Sequence, residues 1–121
     1  MPAPILVSVV DDDESVREAL PDLLREFGFA AQCFASADAF LRSGLHGETK
    51  CLILDVAMPG MTGPELKNLL DSRGLAIPVV FITANAGAAN SEALAGAVAC
   101  LVKPFSDTLL LDALKKALKA S

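Results

Sequence analysis

Apolar and polar positions fall in blocks along this chain, and each block carries one of two periods. Positions 5–10 (Ile-Leu-Val-Ser-Val-Val) form a near-continuous apolar run, the pattern of a strand buried on both faces. From Asp13 the period changes. Val16, Leu20, Leu23, Leu24 and Phe27 share one helical stripe, and Gly28 marks its end. Pro21 falls inside that stripe, where it should kink the helix or loosen its first turns. Positions 30–34 read as a short second strand. Ser36 is placed to cap a short helix with Phe40 and Leu41 on its inner side, and 43–50 reads as a polar loop.

The second half repeats the alternation. A third strand at 51–54 runs into Asp55, and the turn-rich stretch Met58-Pro59-Gly60-Met61-Thr62-Gly63 follows. Thr62 can cap a third helix with Pro64 in its first turn and Leu66, Leu69 and Leu70 as its stripe. A fourth strand at 78–82 ends at Thr83. Positions 84–95 are rich in Gly and Ala and predict only a weak fourth helix. A fifth strand at 98–102 ends at Lys103-Pro104. Ser106 then caps a last helix whose apolar side carries Leu110, Ala113, Leu114, Ala117 and Leu118. Asp107 at its start and Lys115, Lys116 and Lys119 at its end suit the helix dipole. Five βα units with buried apolar strands and right-handed crossovers predict an α/β fold, a parallel sheet with helices on both faces.

Composition narrows the function classes. The 121 residues suit one domain, 1–121, and an apolar share of 53% argues against disorder. The net charge of -5 argues against this domain gripping nucleic acid by itself, because such binding needs basic side chains on phosphates. No apolar run approaches the ~18 residues of a membrane span, and Met1-Pro2-Ala3-Pro4 has no basic leader. A cytoplasmic protein is expected. Cys33, Cys51 and Cys100 show neither CxxC nor zinc spacing and are expected as buried, reduced thiols. His46, the single histidine, is expected exposed in its loop; the count excludes a histidine-based triad.

The candidate chemistry lies where the strands stop. In Val9-Val10-Asp11-Asp12-Asp13 three carboxylates follow a buried run. Two readings stand side by side. Asp13 and Glu14 suit a helix start; Asp11 and Asp12 are not explained by it and suit a hard cation such as Mg²⁺. Strand three ends at Asp55, strand four at Thr83 and strand five at Lys103. In an open parallel sheet these ends share one rim, and ligands bind where strand order reverses. With order 2-1-3-4-5, that point lies between strands one and three and brings Asp11 and Asp12 beside Asp55. Mg²⁺ would offset the three carboxylates and could hold a phosphoryl group. Asp55 could attack phosphorus, Lys103 would supply a positive charge and Thr83 a hydroxyl. Taken singly, such residues are usually a cap or turn former, a turn hydroxyl and a solvated lysine; jointly, all at strand ends in this order, they are hard to explain as accident.

Together, Val10-Asp11-Asp12, Asp55 with Met58-Pro59-Gly60-Met61-Thr62-Gly63, Thr83-Ala84 and Lys103-Pro104-Phe105 resemble the receiver domain of bacterial two-component response regulators, most of all the nitrogen-fixation type. The resemblance covers essentially the whole chain. It implies a flavodoxin-like (βα)5 three-layer sandwich and a signalling switch rather than an enzyme. Asp55 would accept a phosphoryl group from a phosphohistidine on a sensor histidine kinase or phosphotransfer protein. Asp12 would ligate Mg²⁺ directly, Asp11 directly or through water, with Asp55 and the backbone carbonyl of Ala57 completing the protein ligands. Lys103 would pair with Asp55 before phosphorylation and with the phosphoryl group afterwards, and Thr83 would swing toward it. Small Ala84 would leave the phosphoryl path open. The Lys103–Pro104 bond is expected to be cis. An output domain or a homodimer would use the face of the fourth helix, fifth strand and last helix.

Three departures from the receiver pattern stand out. Cys100 occupies the position where receivers commonly carry Tyr or Phe. The segment between Thr83 and Lys103 is shorter than usual by roughly half a helical turn. Pro21 lies on the helix beside the acidic pocket. The first two fall on the usual output face. Two rival readings follow: an interaction module without regulated phosphorylation, or a magnesium-dependent phosphohydrolase of the haloacid dehalogenase type with Asp11 as nucleophile.

Overall fold

The computed structural model describes residues 4–87 and 92–119. Its regular elements are β1 (Leu6–Val10), α1 (Glu14–Glu26), β2 (Ala30–Phe34), α2 (Ala37–Ser43), β3 (Cys51–Asp55), α3 (Gly63–Ser72), β4 (Val79–Thr83), β5 (Ala99–Val102) and α4 (Asp107–Lys119). The five strands form one parallel sheet in the order β2-β1-β3-β4-β5, the flavodoxin-like arrangement.

Strand alternation divides the core into two layers. Val7 and Val9 of β1, Ile53 of β3 and Ile82 of β4 pack with Leu20 and Leu24 of α1 and with Leu110 and Leu114 of α4. Val10, Leu52, Leu54 and Phe81 pack on the other face with Phe40 of α2 and with Leu66 and Leu70 of α3. Strands β3 and β4 are buried at every position, so their apolar runs carry no period. The caps sit where the sequence placed them. Asp13 accepts from the Ser15 N–H, and Ser36 from that of Ala39. Thr62 forms a reciprocal box with Glu65, and Ser106 accepts from the Leu109 N–H.

Several expectations need correction. The connection at 84–95 contains, among the described residues, only 3₁₀ conformation, at 86–87 and at Glu92–Leu94, while 88–91 lie outside them. Gly and small side chains supply little apolar surface to hold a helix down. Helix α1 runs through Pro21 as one element. The stretch 43–50 is not simply polar loop. It holds a 3₁₀ turn, Leu45–Gly47, and the buried Thr49 hydroxyl meets the buried Ser8 hydroxyl at 2.7 Å. His46 is half-buried, its ring 6.4 Å edge-on from Phe40, and its Nδ1 is buried without a hydrogen-bond partner among the described residues. All three cysteines are free; Cys51 is buried, but Cys33 and Cys100 are only half-buried.

Candidate functional site at the carboxyl rim of the sheet

Register assembles the site. Val10 pairs with Leu54, so Asp11 and Asp55, one residue further on, leave adjacent strands at the same level. By alternation both continue the face of Val9 and Ile53, and Lys103 continues that of Leu101. Thr83 follows Val79 and Phe81 in phase instead.

Asp11 is fully buried and fixed at every polar atom. Its N–H donates to the Phe34 carbonyl at 3.1 Å, and its carbonyl accepts from Arg17 Nη1 at 2.9 Å. Its Oδ1 accepts from the Asp13 N–H at 2.8 Å. Its Oδ2 faces Lys103 Nζ at 2.8 Å as a charge contact, without an aligned hydrogen bond. Asp12 is exposed. Asp55 is held more loosely, with Lys103 Nζ 3.9 Å from its Oδ1. The lysine thus pairs first with Asp11 and only second with Asp55, against the expected preference. The deeper carboxylate has less water to screen it and draws the cation harder.

The electrostatics follow from this crowding. Burial, and then the Asp11 charge, push the Asp55 carboxyl up to about 7, against the pull of Lys103. Burial disfavours the Lys103 ammonium, but contact with Asp11 outweighs it and leaves the group above its ordinary value. Carboxylate oxygens of Asp11, Asp12 and Asp55 lie within 4.8 Å of one another. Oxygens around one octahedral Mg²⁺ ion lie no more than about 4.2 Å apart, so the trio is near that spacing. An all-oxygen set, with one buried oxygen lacking an aligned donor, fits a hard divalent cation.

The remaining candidates stand close by. The Thr83 hydroxyl is buried and bonds within its own turn, accepting from the Asn85 N–H at 3.1 Å. Ala57 is exposed in the loop after β3. That loop closes where the Gly63 N–H donates to the Val56 carbonyl at 3.1 Å. A Cβ at Gly63 would run into the Asp55 carbonyl oxygen, so only glycine lets α3 start this close to the site. The Lys103–Pro104 bond is cis. Cys100 packs on the face opposite Lys103, among residues of the α3 layer, and burial raises its thiol. Arg17 and Gly63 were missed as site residues. A cation one turn into the helix after an acidic cluster was the available signal for Arg17.

Residues 7–115 match the family described as the response regulator receiver domain. This chain belongs to that family. The response regulator protein TodT of Pseudomonas putida is 40% identical over 116 residues, covering 94% of this chain and 51% of TodT. The chain therefore spans about half the length of the curated relatives it matches. Among solved structures, FixJ-N superposes with a TM-score of 0.85 at 34% identity, over 99% of this chain and 98% of that one. Response regulator TrrA of Thermotoga maritima, solved in complex with Mg²⁺–BeF, gives a TM-score of 0.85 at 26% identity, over 94% and 99% respectively. Receiver domains are signalling domains of two-component systems, not classical enzymes. No helix among the described residues is long and apolar enough to cross a membrane.

Proposed function

We propose that residues 1–121 act as one phosphorylation-controlled switch, with Asp55 as phosphoacceptor. The donor is a phosphohistidine on a sensor histidine kinase or phosphotransfer protein. An Asp55 oxygen forms the new bond to phosphorus, the bond from phosphorus to the imidazole nitrogen breaks, and the imidazole leaves. The observation that carries this reading is the meeting of Asp55 with two further carboxylates within 4.8 Å and with Lys103 at 3.9 Å.

Asp11, Asp12, Asp55 and the Ala57 carbonyl would hold Mg²⁺. When bound, Mg²⁺ offsets the repulsion between the carboxylates and the incoming phosphoryl oxygens. Asp11, locked in place, anchors the set. Lys103 lies close enough to leave Asp11 for a phosphoryl oxygen, and the Thr83 hydroxyl would exchange Asn85 for another. A groove of about 860 Å³ between α1 and the loop after β5, lined by Val16, Leu20, Leu23, Lys103 and Phe105, opens beside the site and gives a donor protein a way in. Movement of Thr83 and Lys103 would reach the 84–98 connection, β5 and α4, where an output domain or second copy would sense it. The domain would work in the cytoplasm and, with its acidic charge, would not bind nucleic acid directly.

Incubation with Mg²⁺ and acetyl phosphate should give a phosphoprotein by intact-mass measurement. Asp55→Asn and chelation of Mg²⁺ should each abolish it. Labelling that survives in Asp55→Asn protein would overturn the assignment.

A further inference from the structure

Arg17 lies on the first turn of α1, and its Nη1 grips the Asp11 carbonyl at 2.9 Å. That carbonyl belongs to the peptide joining Asp11 to Asp12. The next peptide, joining Asp12 to Asp13, is held from the other side by Asp11 Oδ1 at 2.8 Å. Asp12 therefore sits between two fixed peptide units. Its own carboxylate is exposed, and among the described residues no ion pair and no backbone N–H orients it. Apart from a side-chain contact with the Asp55 carboxyl, the direction in which Asp12 faces the site is set by its backbone.

We propose that Arg17 is a positioning residue for the cation site, acting by holding the 11–12 peptide so that Asp12 presents its carboxylate beside Asp11 and Asp55. The proposal rests on the reading that these three carboxylates hold a divalent cation. Two effects of Arg17 oppose each other. As a charge it repels a dication, so its loss would tighten binding. As a clamp it orders a ligand, so its loss would weaken binding. Water and salt screen the charge of a half-exposed guanidinium. A charge-assisted hydrogen bond to a part-buried carbonyl is a stronger contact, so the clamp wins.

The test titrates metal-free protein with MgCl₂ by calorimetry and follows the Asp12 and Asp13 amide signals by NMR. Arg17→Met keeps the aliphatic stem and is helix-compatible. It should weaken Mg²⁺ binding about fivefold to tenfold, the scale of one such hydrogen bond, and shift both amides before any metal is added. Arg17→Lys, which keeps a charged donor, should recover part of the loss. In an Asp12→Ala background Arg17→Met should cost nothing further. Wild-type protein that fails to bind Mg²⁺ would overturn the cation reading itself. Wild-type binding with unchanged or tighter binding by Arg17→Met would overturn the clamp and leave the cation reading intact. An equal loss in the Asp12→Ala background would show that Arg17 does not act through Asp12.

Discussion

Replacing Asp55 with asparagine removes one of two buried carboxylates that compete for a single lysine, and keeps the side chain's shape. The closer partner of Lys103 is Asp11 at 2.8 Å, not Asp55 at 3.9 Å, so the main ion pair survives the change. The gain comes from relieving Asp55, whose carboxyl lies at about 7 instead of 3.8, first through burial and then through the Asp11 charge. At 1.36 kcal/mol per pKa unit, a shift of that size expressed in full corresponds to about 4 kcal/mol. Water at the rim screens part of it, leaving about 2 kcal/mol. The sign depends on pH. Below about 3.8 Asp55 is protonated in folded and unfolded chains alike, and this route contributes nothing. Between 3.8 and about 7 only the folded chain keeps the proton, so wild-type stability falls as pH rises. Above about 7 that loss is complete.

The asparagine variant escapes it, and should exceed wild type by about 2 kcal/mol, or roughly 6–10 °C in melting midpoint, at the alkaline end. The chain has no Trp or Tyr, so far-ultraviolet circular dichroism in urea with a chelator present is the suitable assay. Added Mg²⁺ should stabilise wild type more than the variant and narrow the gap. A variant less stable than wild type at high pH, or a gap that does not change with pH, would refute the account of Asp55 as a strained buried charge.

Gly63→Ala should destabilise the domain by about 1–3 kcal/mol in urea denaturation, because the new methyl group meets the Asp55 carbonyl oxygen and lies 3.2 Å from Leu54 Cγ. Unchanged stability would mean that α3 can retreat without cost. Pro21→Ala should raise the melting midpoint, by about 1–3 kcal/mol of stability, since it restores the N–H that Arg17's carbonyl lacks and removes the ring from the interior of α1. No gain would mean that the helix has already accommodated the ring.

Strands β1 and β3 were legible because a strand buried on both faces must be apolar nearly throughout, and the runs of β1, β3 and β5 each stopped at a residue that could not be buried alone. Asp11, Asp55 and Lys103 were found by that rule, and the caps by their hydroxyls and carboxylates. What escaped depends on three dimensions. The pleat phase that separates Thr83 from the carboxylates needs the register with β3, where Asp55 pairs with Ile82 rather than with Thr83. The preference of Lys103 for Asp11 depends on relative depth, which no spacing encodes. Ser8 was a missed signal: a hydroxyl inside an apolar strand requires a partner, and Thr49 supplies it from 41 residues away. At the described residues of 84–95 the weak-helix reading misled because small side chains permit a helix without enforcing one.

The three carboxylates are held unequally, and that inequality suits a switch. Asp11 is fixed at its N–H, its carbonyl and both carboxylate oxygens, so it cannot adapt to a ligand and serves as the reference point. Asp12 is exposed on a backbone pinned on either side and is free to close on a cation from the solvent face. Asp55, raised to about 7 by burial and by Asp11, carries a charge that the fold tolerates poorly. A bound cation would relieve that tension and keep the proposed nucleophile ionised near neutral pH. A phosphoryl group on Asp55 would restore negative charge at the same point and draw on the Lys103 ammonium 3.9 Å away. Its departure from Asp11 would leave a buried carboxylate dependent on the metal. On this reading cation binding, phosphorylation and the position of the lysine would be coupled through Asp11, the residue that performs no chemistry itself.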